Sequence, residues 1–169
     1  AAPSTPLFKD FAETWFQEKE IEWRSSYKTT VRSTLDVNLI PHFGEKEVGQ
    51  ITKADVLAYR ADLGKVTARG KQNKLSTARI NKMLNPLRQI LNEAADRFEF
   101  RTPFSAIKQL KVKRSDVDPF TLDEVIDILK TVRADFRNYF TVRFFTGMRT
   151  GEIDGLKWKY VDFEKRLIL

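Results

Sequence analysis

The amino-acid sequence predicts a mainly α-helical chain in two lobes, the second ending in a strand-like run. Three observations carry this. Apolar residues recur at three- and four-residue spacing through residues 7–98, the period of helices with one buried face. That period is lost from Lys108 to Asp118 and resumes after Thr121. The one strand-like run that ends the sequence is Leu167-Ile168-Leu169.

Taken in order, Leu7, Phe8, Phe11, Ala12, Trp15 and Phe16 predict an amphipathic helix over 6–21, with the aromatics in a core. Ser25 or Ser26 is expected to cap a second helix. Tyr27, Val31, Leu35 and Leu39 then face inward, Lys28, Thr29 and Arg32 face outward, and Pro41 ends the helix. His42 is the single histidine, and with no Cys it reads as a helix-end or loop residue rather than a metal ligand. Thr52-Lys53-Ala54-Asp55 resembles a capping box, with Asp where Glu or Gln is usual, and opens a third helix. Residues 65–74 read as a basic loop. Ser76 or Thr77 opens a long helix with Ile80, Met83, Leu84, Leu87, Ile90 and Leu91 on its apolar stripe. Pro86 lies within that stripe and is expected to kink or interrupt it, because it cannot donate to the carbonyl four residues back. Thr121-Leu122-Asp123-Glu124 is a second capping box, and a further helix is expected from about Phe136 to Phe145.

The expected division is a disordered tail or cloning scar over 1–5, a helical lobe over 6–106, a linker over 107–118, and a fragment of a mixed lobe over 119–169. A chain of 169 residues with 41% hydrophobic content can supply such cores. Absence of Cys excludes disulfides and thiolate chemistry and suits a cytoplasmic location. Ala1-Ala2-Pro3-Ser4-Thr5-Pro6 is not a signal peptide, and no apolar run approaches membrane-spanning length.

Charge placement says more than the net +7. Residues 65–114 hold 13 Lys and Arg against 3 Asp and Glu, a balance of +10, and the rest of the chain stands at −3. A basic middle interleaved with Ser, Thr, Asn and Gln suggests a nucleic-acid footprint, because such side chains bond phosphates and base edges. The plainer alternative is a solvated loop. The expected nucleic-acid-facing residues are Lys28, Thr29, Arg32, Lys71, Lys74, Ser76, Thr77, Arg79 and Lys82, on the outer side of the second helix and the start of the long one.

Around Arg149 an apolar helical run, Tyr139 to Phe145, is broken by Gly147, which permits a sharp turn. A planar, permanently charged guanidinium suits a phosphate, and Glu152 stands within one helical turn to brace it. The competing reading is a buried Arg–Glu pair at a helix corner.

The stretch Thr146-Gly147-Met148-Arg149-Thr150-Gly151-Glu152, followed by Leu156, Trp158 and Asp162, resembles the first arginine box of the tyrosine recombinase (phage integrase) family. That resemblance implies a SAM-like helical core-binding domain followed by the N-terminal part of an α+β catalytic domain. It implies Arg149 as a catalytic arginine and Glu152 as its support. It implies double-stranded DNA as partner, self-association on DNA in the complete protein, and neither cofactor, metal, membrane nor small-molecule substrate. The chemistry implied is strand cutting and rejoining through a 3′-phosphotyrosyl bond. The family's catalytic Lys, His-x-x-Arg box and nucleophilic Tyr are expected beyond Leu169, and Tyr27, Tyr59, Tyr139 and Tyr160 stand at other places in the pattern. The chain alone is therefore expected to be inactive in cleavage. A non-cutting DNA-binding module or regulator of the same descent is the alternative.

Overall fold

A computed structural model describes residues 4–67, 74–113 and 116–169. Backbone contacts divide it into two units, Ala1–Arg114 and Ser115–Leu169.

The first unit is helical. Helix α1 (Phe8–Lys19) has no side-chain cap. Its first amide groups instead donate to the turn after the second helical segment, Phe8 N–H to the Lys46 carbonyl at 2.8 Å and Lys9 N–H to that of Gly44 at 3.2 Å. Donors that every helix start leaves orphaned are thereby satisfied by tertiary contact. Thr5, placed by the sequence reading in the tail, bonds Glu47 through its amide at 3.0 Å and accepts from Gly49 N–H at 2.9 Å.

Helix α2 (Ser25–Thr34) differs from expectation at both ends. Its N-cap is Arg24, without a side-chain cap bond, while the Ser25 and Ser26 carbonyls accept from the Thr29 and Thr30 hydroxyls. Pro41 does not end the helix. A π-helical turn, Leu35–Leu39, carries it into α3 (Ile40–Phe43), with Ile40 N–H reaching back to the Leu35 carbonyl. Pro41 then sits in the first turn of α3, where a missing N–H is tolerated.

Helix α4 (Lys53–Leu63) begins with the expected capping box. Thr52 Oγ1 accepts from Asp55 N–H at 3.2 Å, and the Asp55 carboxylate accepts from Thr52 N–H at 2.8 Å. The Lys46 ammonium, and after it the bonds from Thr52, hold the Asp55 carboxyl down at about 2. Helix α5 (Thr77–Arg97) is capped by Ser76 and runs on through Pro86 without interruption. Pro86 leaves the Lys82 carbonyl without its intrahelical donor, a cost outweighed by the long stripe that α5 buries.

The core of this unit is contiguous. Phe8, Leu35, Leu39, Phe43, Leu87 and Ile90 are wholly buried, and Trp15 nearly so. Thr34 is the one polar side chain buried among the described residues, and its hydroxyl donates to the Thr30 carbonyl at 2.8 Å. The His42 ring lies tilted against that of Tyr59, with centroids 4.6 Å apart.

The second unit contains α6 (Leu122–Thr131), opened by the expected Thr121–Glu124 box, α7 (Ala134–Thr146) and the short α8 (Thr150–Asp154). Its sheet is an antiparallel hairpin of β1 (Val161–Asp162) and β2 (Leu167–Ile168), with Val161 opposite Ile168. Leu167 and Ile168 were expected to start a buried strand. They are exposed and already paired, because Asp162 Oδ1 accepts Lys165 N–H at 2.9 Å and Arg166 adopts a positive φ that turns the chain. Val125 and Ile153 are the buried hydrophobics of this unit, and α7 buries none among the described residues.

Candidate functional site

Two places hold the residues singled out by sequence. In the first unit, α2 and α5 border a groove of about 590 Å³. Its wall includes Tyr27, Thr30, Asn81 and Met83, and Arg79 and Lys82 stand on its α5 side. Tyr27, expected on the inner face of α2, is exposed here, its ring edge-on to Trp23 at 5.2 Å. Position along α5 explains the placement. Residues 79 and 82 are three apart and share a face, whereas Ile80, Met83 and Leu84 turn into the core.

The expected DNA-facing residues divide by what already holds them. Lys74, Arg79 and Lys82 are exposed, and none has a carboxylate within ion-pair distance among the described residues. Lys74 pairs through its backbone with Thr67. Thr77 is exposed, and Ser76 accepts Arg79 N–H at 3.3 Å as the α5 cap. Arg32 is differently placed. Its guanidinium bonds Asp36 at 2.8 and 2.9 Å, bonds Glu13 as well, and lies 5.4 Å from the Phe16 ring centroid. Asp36 and then Glu13 raise its already high pKa, and Arg32 in turn lowers that of Glu13. Lys28 is 3.7 Å from Glu20, and Thr29 donates to the Ser25 carbonyl at 3.1 Å. The α2 cations are thus partly neutralised by their own surroundings, and those near the start of α5 are not. Lys71 lies outside the described residues. Asn81, Asn85 and Gln109 also line the groove and were not singled out. The available signal was the pair of Asn residues inside a helix, where that residue type is a weak helix former.

The second place is the turn between α7 and α8. Gly147 takes a left-handed φ of 70°, and its N–H closes α7 on the Arg143 carbonyl at 3.1 Å. A residue with a Cβ would be strained at that angle. The turn projects Arg149, whose side chain is 89% exposed, so the corner does not hold a buried ion pair. Glu152 accepts Arg149 N–H at 2.8 Å and lies 3.7 Å from the guanidinium. The carboxylate is fixed by the backbone and stands at ion-pair but not hydrogen-bond distance from the guanidinium, whose donors it leaves free. Beside the turn, Met148, Glu152, Tyr160 and Arg166 border a wide hollow of about 710 Å³. Among the described residues, no three His, Asp or Glu side chains gather closely enough to hold a metal ion. No helix among them is long and apolar enough to cross a membrane.

Comparison with known proteins places these features in context. Residues 8–97 match the family model described as the phage integrase central domain. Prophage integrase IntR of Escherichia coli (strain K12) is 25% identical, the match covering 95% of this chain and 41% of IntR. ICEBs1 integrase of Bacillus subtilis (strain 168) is 23% identical, covering 85% of this chain and 38% of that protein. The chain spans about two-fifths of the length of the curated relatives it matches. The solution NMR structure of an integrase-like domain from Bacillus cereus superposes with a TM-score of 0.54 at 20% identity, over 70% of this chain and 96% of that domain. The last likeness is one of fold.

Proposed function

This chain belongs to the tyrosine recombinase (phage integrase) family, and we propose that it is the DNA-binding portion of a site-specific recombinase together with the first part of its catalytic domain. The observation that supports this best is the set of exposed cations where α5 begins, Lys74, Arg79 and Lys82, which have no carboxylate partner among the described residues, beside the α2–α5 groove. Cations without carboxylate partners are the ones free to replace the counterions condensed on DNA phosphates. Ser76, Thr77 and the first amide groups of α5 add uncharged donors of the kind that bond phosphate oxygens.

In the complete recombinase, which acts in the cytoplasm and self-associates on its DNA, a tyrosine attacks the scissile phosphate and a 3′-phosphotyrosyl bond forms as the 5′-oxygen leaves. Attack by a freed 5′-hydroxyl reverses the step and rejoins strands, so no external energy source is consumed. Arg149 is assigned to the nonbridging oxygens of that phosphate. A preoriented guanidinium acts most strongly where charge redistributes in the transition state, and so on rate more than on binding. Glu152 holds it in place.

The test is made on the complete protein. Arg149→Ala should lower cleavage on the order of a hundred- to a thousandfold, the usual cost of one preorganised donor. Arg149→Lys should also be poor, because a point charge does not replace a two-pronged one. Glu152→Gln should cost less. Duplex binding and melting temperature should stay close to wild type in all three. Normal cleavage per folded molecule of Arg149→Ala would remove the residue from the reaction.

A further inference from the structure

Residues 107–113 follow the helical part of the first unit and form no element of their own, yet their backbone is held at three successive points of α4 and α5. Arg88 Nη2 donates to the Ile107 carbonyl at 2.9 Å, and Arg60 Nη1 to that of Lys108 at 3.2 Å. The Asn81 side chain then does what a neighbouring strand would do. Its Nδ2 donates to the Leu110 carbonyl at 2.8 Å, and its Oδ1 accepts Leu110 N–H at 2.9 Å. Both backbone groups of one residue are satisfied at once, so a slide of the segment by one residue would break both bonds. Ile107 is buried and Leu110 packs against the core. Gln109 and Val112 border the same groove as Arg79 and Lys82. Lys111 and Lys113 are exposed, with no carboxylate within ion-pair distance among the described residues.

We propose that Asn81 is a positioning residue whose clamp on Leu110 makes residues 107–113 a fixed wall of the α2–α5 groove, adding Lys111 and Lys113 to the phosphate-binding surface begun by Arg79 and Lys82. The inference rests on the DNA-binding reading above and extends it to a segment that the sequence pattern assigns to a linker. A flexible lysine must be ordered each time it meets a phosphate, whereas one on a clamped backbone has part of that entropy removed beforehand.

Two measurements on the 169-residue chain test it. The first is trypsin cleavage after Lys108, Lys111 and Lys113 in the free protein. Asn81→Ala should raise the rate roughly ten- to a hundredfold, as expected for losing two hydrogen bonds that oppose local opening. Asn81→Asp, which keeps the acceptor but sets a carboxylate oxygen against the Leu110 carbonyl, should raise it at least as much. The second is a double-mutant cycle on a fluorescein-labelled, mixed-sequence DNA duplex. Lys111→Gln with Lys113→Gln should weaken binding on the order of tenfold in the Asn81 background and only about two- to threefold in Asn81→Ala. An equal loss in both backgrounds overturns the positioning role, as does an unchanged trypsin rate. Failure of the wild-type chain to bind the duplex overturns the DNA-binding reading itself, a result distinct from either of these. Should Asn81→Ala not fold, Asn81→Leu, uncharged and close to Asn in size, carries both comparisons.

Discussion

Removing three charges near the start of α5 should change the salt dependence of DNA binding by a calculable amount. Lys74→Gln, Arg79→Gln and Lys82→Gln together leave the fold intact, since Gln matches Lys and Arg in helix propensity and the Lys74 bridge is made by backbone. All three side chains are exposed and without carboxylate partners among the described residues, so each is counted as one phosphate contact. Each contact contributes about 0.9 to the slope of log affinity against log salt, so the slope should shrink by roughly 2.7. Between about 50 and about 200 mM salt, the wild type should therefore lose about fortyfold more affinity than the triple variant. Fluorescence anisotropy on a labelled duplex across that range reads the slope directly. Arg32→Gln is the internal control, because it removes the same charge from a guanidinium already bonded to Glu13 and Asp36. Its slope should fall by less than about 0.5, with the larger effect on melting. A triple variant with the wild-type slope would refute the reasoning, as would an Arg32→Gln slope change as large as that of the triple.

Stability predictions follow from the same geometry. Asp55 has its carboxyl depressed to about 2 in the folded chain, so its contribution is present above the ordinary Asp range near 4 and is lost as pH falls toward 2. Thermal melts should show Asp55→Asn below wild type at neutral pH, with the gap closing through that window, and a gap independent of pH would contradict the assignment. Leu87→Ala, at a wholly buried position of α5, should cost about 2–5 kcal/mol in urea denaturation. Val125→Ala should cost well under that figure, because its unit buries few side chains.

The sequence by itself determined most of the helical segments, the buried stripes of α1 and α5, and where Arg149 stands. Those features depend on local period and on capping chemistry within a few residues, as at Thr52–Asp55 and Thr121–Glu124. Its local rules failed where the outcome depended on partners far along the chain. Pro41 was read as a stop, but the π turn before it lets the helix continue into a packed Phe43. Arg32 was read as an outward, DNA-facing cation, and only the fold brings Glu13, nineteen positions earlier, to it. Leu167 and Ile168 were read as buried from composition, whereas their burial depends on what covers them, and they lie exposed in a hairpin. Residues 107–113 carry no apolar period, and only the fold brings Asn81 to Leu110, twenty-nine positions away. Spacing records what one element presents to its surroundings. Which cation keeps its charge free for a phosphate is decided by the carboxylates and carbonyls that other elements bring beside it, and that is a property of tertiary structure.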